Sequence, residues 1–188
     1  VRQCVKLKLR ETDRIIVGNI NAFRDWSHVK DIVNGYILLA EKGHPGDVYV
    51  QGSMRTNSVL TYILLTLEEL GYKVYEIETM RSGKRVKDPL ERDYEEFFSC
   101  RFEKTKIDRL LLEGELEYTL EDKGVIVRTD KGNVRVEFDP NRFRPVEVPI
   151  LMSYTRKIQE LGFRAMRTLR DIIRDQINYY LVPENRNI

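Results

Sequence analysis

The sequence of 188 residues predicts an α/β fold, on three observations. From Arg14 to Ile77, short β-type runs alternate with helical segments in a β-α-β-α-β rhythm. Apolar residues recur at helical spacing through two long segments, from Val29 to Ala40 and from Val59 to Leu70. Farther along, alternation of apolar and polar residues around Asp130-Lys131-Gly132 marks a β-hairpin.

Taken in order, Val1 to Leu9 reads as the tail of a helix. Arg14 to Val17 is a short strand ended by Gly18-Asn19, where Gly18 is expected to allow a tight turn. Trp26-Ser27-His28 leads into a strong helix carrying Val29, Ile32, Val33, Tyr36, Ile37 and Ala40 on one face, and Gly43, Pro45 and Gly46 stop it. Asp25 and His28 are expected to satisfy free N–H groups at its start, and Trp26 is expected in the core. Asp47 to Gln51 is predicted as a strand. After the polar loop Gly52 to Asn57, Asn57 or Ser58 caps a helix that runs to about Leu70 and closes at Gly71. Tyr72 to Ile77 is the next strand.

From about Met80 to Leu120 regularity fades. Charge dominates Arg81 to Glu96, with Phe97, Phe98 and Phe102 as the dense apolar points. This stretch reads as an insertion, part of it helical, within one domain spanning residues 1–188. Val125 to Val127 and Val134 to Phe138 form the hairpin, two helices follow near Tyr154 to Leu161 and Thr168 to Leu181, and Val182 to Ile188 reads as a frayed tail.

Composition bounds the function. A hydrophobic content of 41% supplies a core, and 33% charged residues suit a well-solvated surface. No apolar run approaches the roughly 20 residues of a membrane span. Val1 to Arg10 mixes charged and apolar residues too closely for a secretory signal. The 32 basic and 30 acidic residues leave a net charge of +2, which argues against nucleic acid as a partner. Cys4 and Cys100 are too few for a disulfide framework and form no CxxC pair, so no metal site and a cytoplasmic setting are expected.

Two separated segments carry the functional signal: Gly18-Asn19-Ile20-Asn21-Ala22-Phe23-Arg24-Asp25-Trp26-Ser27-His28 and Asp139-Pro140-Asn141-Arg142-Phe143-Arg144-Pro145-Val146-Glu147-Val148. Gly46-Asp47-Val48-Tyr49, Ser58-Val59, Thr155-x-Lys157, Leu161-Gly162-Phe163 and Thr168-Leu169 accompany them. In this order the blocks resemble the C-terminal half of GDP-mannose 4,6-dehydratases, extended short-chain dehydrogenases of the NAD-dependent epimerase/dehydratase group. The resemblance implies a fold lacking the N-terminal Rossmann half. It also implies a complete enzyme that oxidises the sugar at C4 with NADP, eliminates water across C5 and C6, and reduces the product.

In that family the arginine of Arg-Asp-Trp, and the arginine and glutamate of Arg-Pro-x-Glu, help hold GDP. Carried over, these are Arg24, Arg144 and Glu147, with GDP-mannose or a related nucleotide sugar as the ligand. The chemistry suits the role: guanidinium forks pair with phosphate oxygens at two points, and a carboxylate accepts from ribose hydroxyls or a base edge. The plainer alternative is that these residues form surface salt bridges. The chain departs from the family where Gly-Asp-Pro becomes Met152-Ser153-Tyr154, with Ser153 still expected to cap, and where Trp and Pro become Phe163 and Ala165.

These residues contain no GxGxxG, and none of the ten tyrosines has a lysine four residues on. No catalytic residue and no cofactor site are therefore expected within them. NADP is expected in the complete enzyme, held by a Rossmann half on a partner chain; self-association is the alternative. The helix from about His28 to Lys42 and the strand Asp47 to Gln51 would pack on that half, so their apolar surface needs a cover. Two readings stay open: the GDP-sugar-binding part of a dehydratase, and a non-enzymatic nucleotide-sugar-binding or assembly module.

Overall fold

The computed structural model describes residues 1–93, 96–97, 100–101, 103–144 and 146–186. The first half contains α1 (Arg2–Lys8), β1 (Arg14–Val17), β2 (Phe23–Asp25), α2 (Val29–Lys42), β3 (Thr56–Ser58), α3 (Val59–Glu69), β4 (Val74–Thr79) and β5 (Arg85–Lys87). The short strands β6 (Arg92–Asp93), β7 (Glu96–Phe97), β8 (Cys100–Arg101) and β9 (Lys104–Thr105) precede α4 (Lys106–Leu112). The hairpin β10 (Gly124–Thr129) and β11 (Gly132–Phe138) follows, then α5 (Arg156–Glu160), α6 (Leu169–Leu181) and α7 (Pro183–Arg186).

A five-stranded sheet of order β1-β11-β10-β4-β5 forms the frame. Within this sheet β1 and β11 run parallel, Arg14 opposite Arg135. The hairpin is antiparallel, and β4 joins it with Ile77 opposite Val127. Period-two alternation decides the faces. Ile15, Ile77, Val125, Val127, Val134 and Val136 point into the core. On the solvent face, Arg85 and Arg128 pair with Glu78 at 2.6 and 2.5 Å. Helix α3 covers the core face, with Leu60, Leu64 and Leu67 fully buried, and α6 adds Ile173 and Ile177. Each such side chain contributes about 1.5–3 kcal/mol by leaving water.

The ends of α3 follow its sequence. Ser58 Oγ accepts from Thr61 N at 3.0 Å. Gly71 lies just past the last turn at φ +83°, a conformation open to glycine.

Several expectations are corrected. Asp47–Gln51 forms no strand: its backbone has no neighbouring strand among the described residues, and an extended chain becomes a strand only when its N–H and C=O groups find one. The segment that does pair is Thr56–Ser58, against β2. At Gly18, where a tight turn is expected, the chain makes a bend without positive φ, and glycine is required by close approach, since a Cβ there would lie 2.5 Å from the Arg142 carbonyl oxygen. Within Val182–Ile188, Pro183–Arg186 is helical, and Arg186 reaches Glu11 at 3.3 Å; residues 187 and 188 lie outside the described residues.

Between residues 80 and 120, β5 extends the sheet, and Val86 and the α4 residue Ile107 enter the same core. Phe98, Phe102 and the side chains of Phe97 and Cys100 lie outside the described part.

Candidate functional site

Strand β2 joins the two motif segments. On one side β3 runs antiparallel, with Arg24 opposite Asn57. On the other, Phe23 N donates to the Pro149 carbonyl at 2.8 Å and Leu151 N donates to the Phe23 carbonyl at 3.0 Å. That ladder seats the stretch after Arg144-Pro145 beside Arg24. The Arg24 guanidinium accordingly donates to the Glu147 carboxylate, and its Nη1 donates to the carbonyls of Phe23 and Val148 at 2.7 and 2.8 Å. Both charged side chains are only about a fifth exposed, 23% and 20%, so the pair is shielded more than an ordinary surface ion pair.

Arg144 stands apart. Its side chain is exposed, and among the described residues it forms no ion pair. The structure thus brings together two of the three candidate residues and leaves the third in solvent. Arg24 has three of its five N–H donors committed to one carboxylate and two carbonyls; Arg144 is open to an anion.

Next to Arg24, Asp25 does not cap α2 as expected. Its carboxylate ties three segments together. It accepts from Ser53 N and Oγ at 2.9 and 2.5 Å, from Met54 N at 3.1 Å, and from Ser153 N at 3.1 Å and Ser153 Oγ. This is where Ser153 is engaged, instead of capping α5, whose first turn follows Thr155. Burial pushes the Asp25 carboxyl up, but the Ser153 and Ser53 donors outweigh it and hold it below the usual carboxylate range. The sequence offered one clue, the polar loop Gly52–Asn57, which carries Ser53 and Met54.

His28 is the helix-start residue the sequence predicts. Its Nδ1 accepts from Lys30 N at 3.1 Å, which leaves Nε2–H to donate to Asp175 at 2.9 Å. Trp26 packs on Tyr62 with ring centroids 4.3 Å apart, and its Nε1–H donates to the Asn57 carbonyl at 3.2 Å.

A pyrophosphate-binding junction would need a strand that opens onto free N–H groups at a helix start. The β3–α3 junction does not fit. The buried Asp108 carboxylate already accepts from Ser58 N at 2.9 Å, Thr61 Oγ1 at 2.7 Å and Asn57 Nδ2 at 2.9 Å. Val59 N and Leu60 N donate to the Ala22 and Ile20 carbonyls, so the N–H groups at this helix start are already taken within the chain. Among the described residues no cluster of three His, Cys, Asp or Glu side chains has metal-site geometry, and no helix is long and apolar enough to cross a membrane.

The mixed sheet and the joined motif segments match the C-terminal part of an extended short-chain dehydrogenase. A family model described as GDP-mannose 4,6 dehydratase matches residues 1–117, and the chain belongs to that family. The GDP-mannose 4,6-dehydratase of Sinorhizobium fredii is 27% identical over 183 residues, covering 95% of this chain and 40% of that protein. GDP-mannose 4,6 dehydratase 2 of Caenorhabditis elegans is 23% identical over 177 residues, covering 94% and 35%. The chain therefore spans about two-fifths of the length of these relatives. The solved structure of RMD from Pseudomonas aeruginosa complexed with NADPH superposes with a TM-score of 0.59 at 14% identity, over 95% of this chain and 40% of that one. That likeness is one of fold.

Proposed function

We propose that this chain is the nucleotide-sugar-holding part of a GDP-mannose 4,6-dehydratase-type enzyme, with Arg24, Arg144 and Glu147 gripping the nucleotide. The observation that carries the reading is the Arg24–Glu147 contact, which joins the Arg-Asp-Trp and Arg-Pro-x-Glu segments across 123 residues of sequence. Holding a substrate in one pose contributes to rate by positioning alone. The relatives are named for GDP-mannose and the RMD structure is complexed with NADPH, which supports a GDP-sugar substrate and an NADP cofactor for the complete enzyme. In this reading NADP sits on a partner Rossmann half that docks on α2, and the cytoplasm is the compartment. The insertion at about 80–120 belongs to the same single domain.

Calorimetry with GDP, GDP-mannose and UDP-glucose tests the reading. GDP and GDP-mannose are expected to bind, with UDP-glucose weaker. Arg144→Ala is expected to weaken GDP by about 1.5–3 kcal/mol, the worth of a charge-assisted hydrogen bond.

A second reading has one specific observation behind it. Arg24 already spends three of its five N–H donors on Glu147 and two carbonyls. If that pair only staples β2 to the segment after Arg144, the chain is an assembly module. GDP then fails to bind, or Arg144→Ala changes nothing.

A further inference from the structure

Beside Trp26, between β3 and the start of α6, lies a cavity of about 260 Å³. Arg24, Arg144 and Glu147 are not among its lining residues. We infer that this cavity is a second binding site, for a small ring-bearing anion, with the ring against Trp26, Leu65 and Leu90 and the acid on Arg55.

The size excludes a packing defect. A single water needs roughly 10–15 Å³, and natural interiors hold few voids larger than that. The volume of about 260 Å³ falls just short of the roughly 300 Å³ of the smallest drug-sized ligand pockets, which suits a small ligand; such pockets combine apolar walls with a few convergent polar groups. Both ingredients are present. Trp26, Leu65 and Leu90 supply the apolar wall, and Arg55, Arg92 and Arg170 stand around it; among the described lining residues the carboxylate is Glu103 alone.

The three arginines differ in what they already hold. Arg170 is taken by Glu68 and Glu69 at 2.7 and 2.8 Å. Arg92 is taken by Glu103 at 2.9 Å. Arg55 donates through Nη2 to the Arg167 carbonyl at 2.5 Å, and no carboxylate among the described residues neutralises it. A guanidinium with one neutral partner, half-buried at the edge of an apolar cavity, is electrostatically incomplete. An anion completes it more favourably there than in open water, because screening is weaker. The two neighbouring ion pairs fix the walls in place. Trp26 has its N–H satisfied by Asn57, so the ring is left with apolar contact as its remaining role.

The chain carries its own reporter, because Trp26 is its single tryptophan. Phenyl phosphate and benzoate, titrated against the intact protein, are expected to change Trp26 fluorescence saturably. Benzamide, which lacks the charge, and inorganic phosphate, which lacks the ring, are each expected to bind about tenfold more weakly, the equivalent of 1.4 kcal/mol. Arg55→Gln is expected to weaken phenyl phosphate by about tenfold, as loss of one charge-assisted hydrogen bond requires. Leu90→Phe keeps Arg55 and narrows the cavity; it is expected to weaken benzoate and phenyl phosphate alike. Melting curves identify any variant that fails to fold, and the other variant then decides.

A response that does not saturate, equal affinity for benzamide and benzoate, or unchanged affinity in a folded Arg55→Gln protein overturns the inference. Displacement of phenyl phosphate by GDP overturns it too, since the cavity would then belong to the nucleotide site. GDP affinity is expected to stay the same in Arg55→Gln, so this inference and the nucleotide reading stand or fall separately.

Discussion

Helices α2 and α3 have similar apolar spacing and face opposite ways. In α3 the leucines turn inward, and Leu60, Leu64 and Leu67 are fully buried between the sheet and α6. In α2 the apolar stripe turns outward: Val29, Val33, Tyr36 and Ile37 are exposed, Tyr36 by 64%. Its buried side carries Asp31, 2% exposed, and Gly35. Asp31 accepts from Arg167 N at 3.0 Å and Arg167 Nη1 at 2.5 Å, and a Cβ at Gly35 would strike the Gln51 side chain. Helical periodicity therefore located both helices but could not say which apolar face finds its cover within this chain. One region is closed around a polar hub and a core. The other carries its apolar stripe on the surface of this chain.

The closed region breaks first at Asp108. Its carboxylate is fully buried and accepts from Ser58 N, Thr61 Oγ1 and Asn57 Nδ2, with Thr105 N at 3.3 Å. It holds α4, β3 and the start of α3 to one another. Asp108→Ala strands several buried donors at once, each costing on the order of 1–3 kcal/mol, and is expected to destabilise by about 4 kcal/mol in denaturant unfolding. Loss of less than about 1 kcal/mol would show that water replaces the carboxylate and that the hub is not what closes this region.

Asp25 is the smaller hub, at the border between the two regions. Asp25→Ala leaves Ser53 N and Ser153 N without their acceptor, leaves Met54 N only the long contact to Ser153 Oγ, and is expected to cost about 3 kcal/mol. Its carboxyl is held below the ordinary aspartate range, so the folded chain binds fewer protons than the unfolded one. The stability it contributes is present above the ordinary value of about 3.9 and is lost as pH falls through the lower folded value. Unfolding measured against pH is therefore expected to show a shallower acid limb in Asp25→Asn. An unchanged limb would assign acid sensitivity to the other depressed carboxyls, among them Asp122 and Glu69.

Much of the closed region was legible because its elements are local. Ser58 as cap, Gly71 as terminator and the turn at Asp130-Lys131-Gly132 each act within a few residues. The hubs were not legible, because their partners are far apart in sequence. Asp25 meets Ser153 across 128 residues, and Asp108 meets Asn57 across 51. The same limit explains Asp47–Gln51, whose composition suits a strand but whose partner is absent among the described residues. At the candidate site, the motif segments named Arg24, Arg144 and Glu147. Only the ladder between Phe23 and the Pro149–Leu151 stretch shows that Arg24 and Glu147 touch while Arg144 does not.

The smallest expected effect on stability is also the sharpest test of the open face. Val33→Glu with Tyr36→Glu places two charges in the exposed stripe of α2. Neither side chain is buried, so the chain alone is expected to unfold within about 0.5 kcal/mol of the unchanged protein. Glutamate is a better helix former than valine or tyrosine, which offsets part of any loss. Association is where the change should register. Burying two glutamates in an apolar interface costs several kcal/mol unless they find partners there. Sedimentation of the chain alone, and with a Rossmann half of a dehydratase, reads this directly. If the unchanged chain associates in either setting and the double variant does not, the stripe is the contact. If both associate equally, α2 carries its apolar face outward for no partner, and the contrast with α3 reflects only how the helix is seated on Asp31 and Gly35.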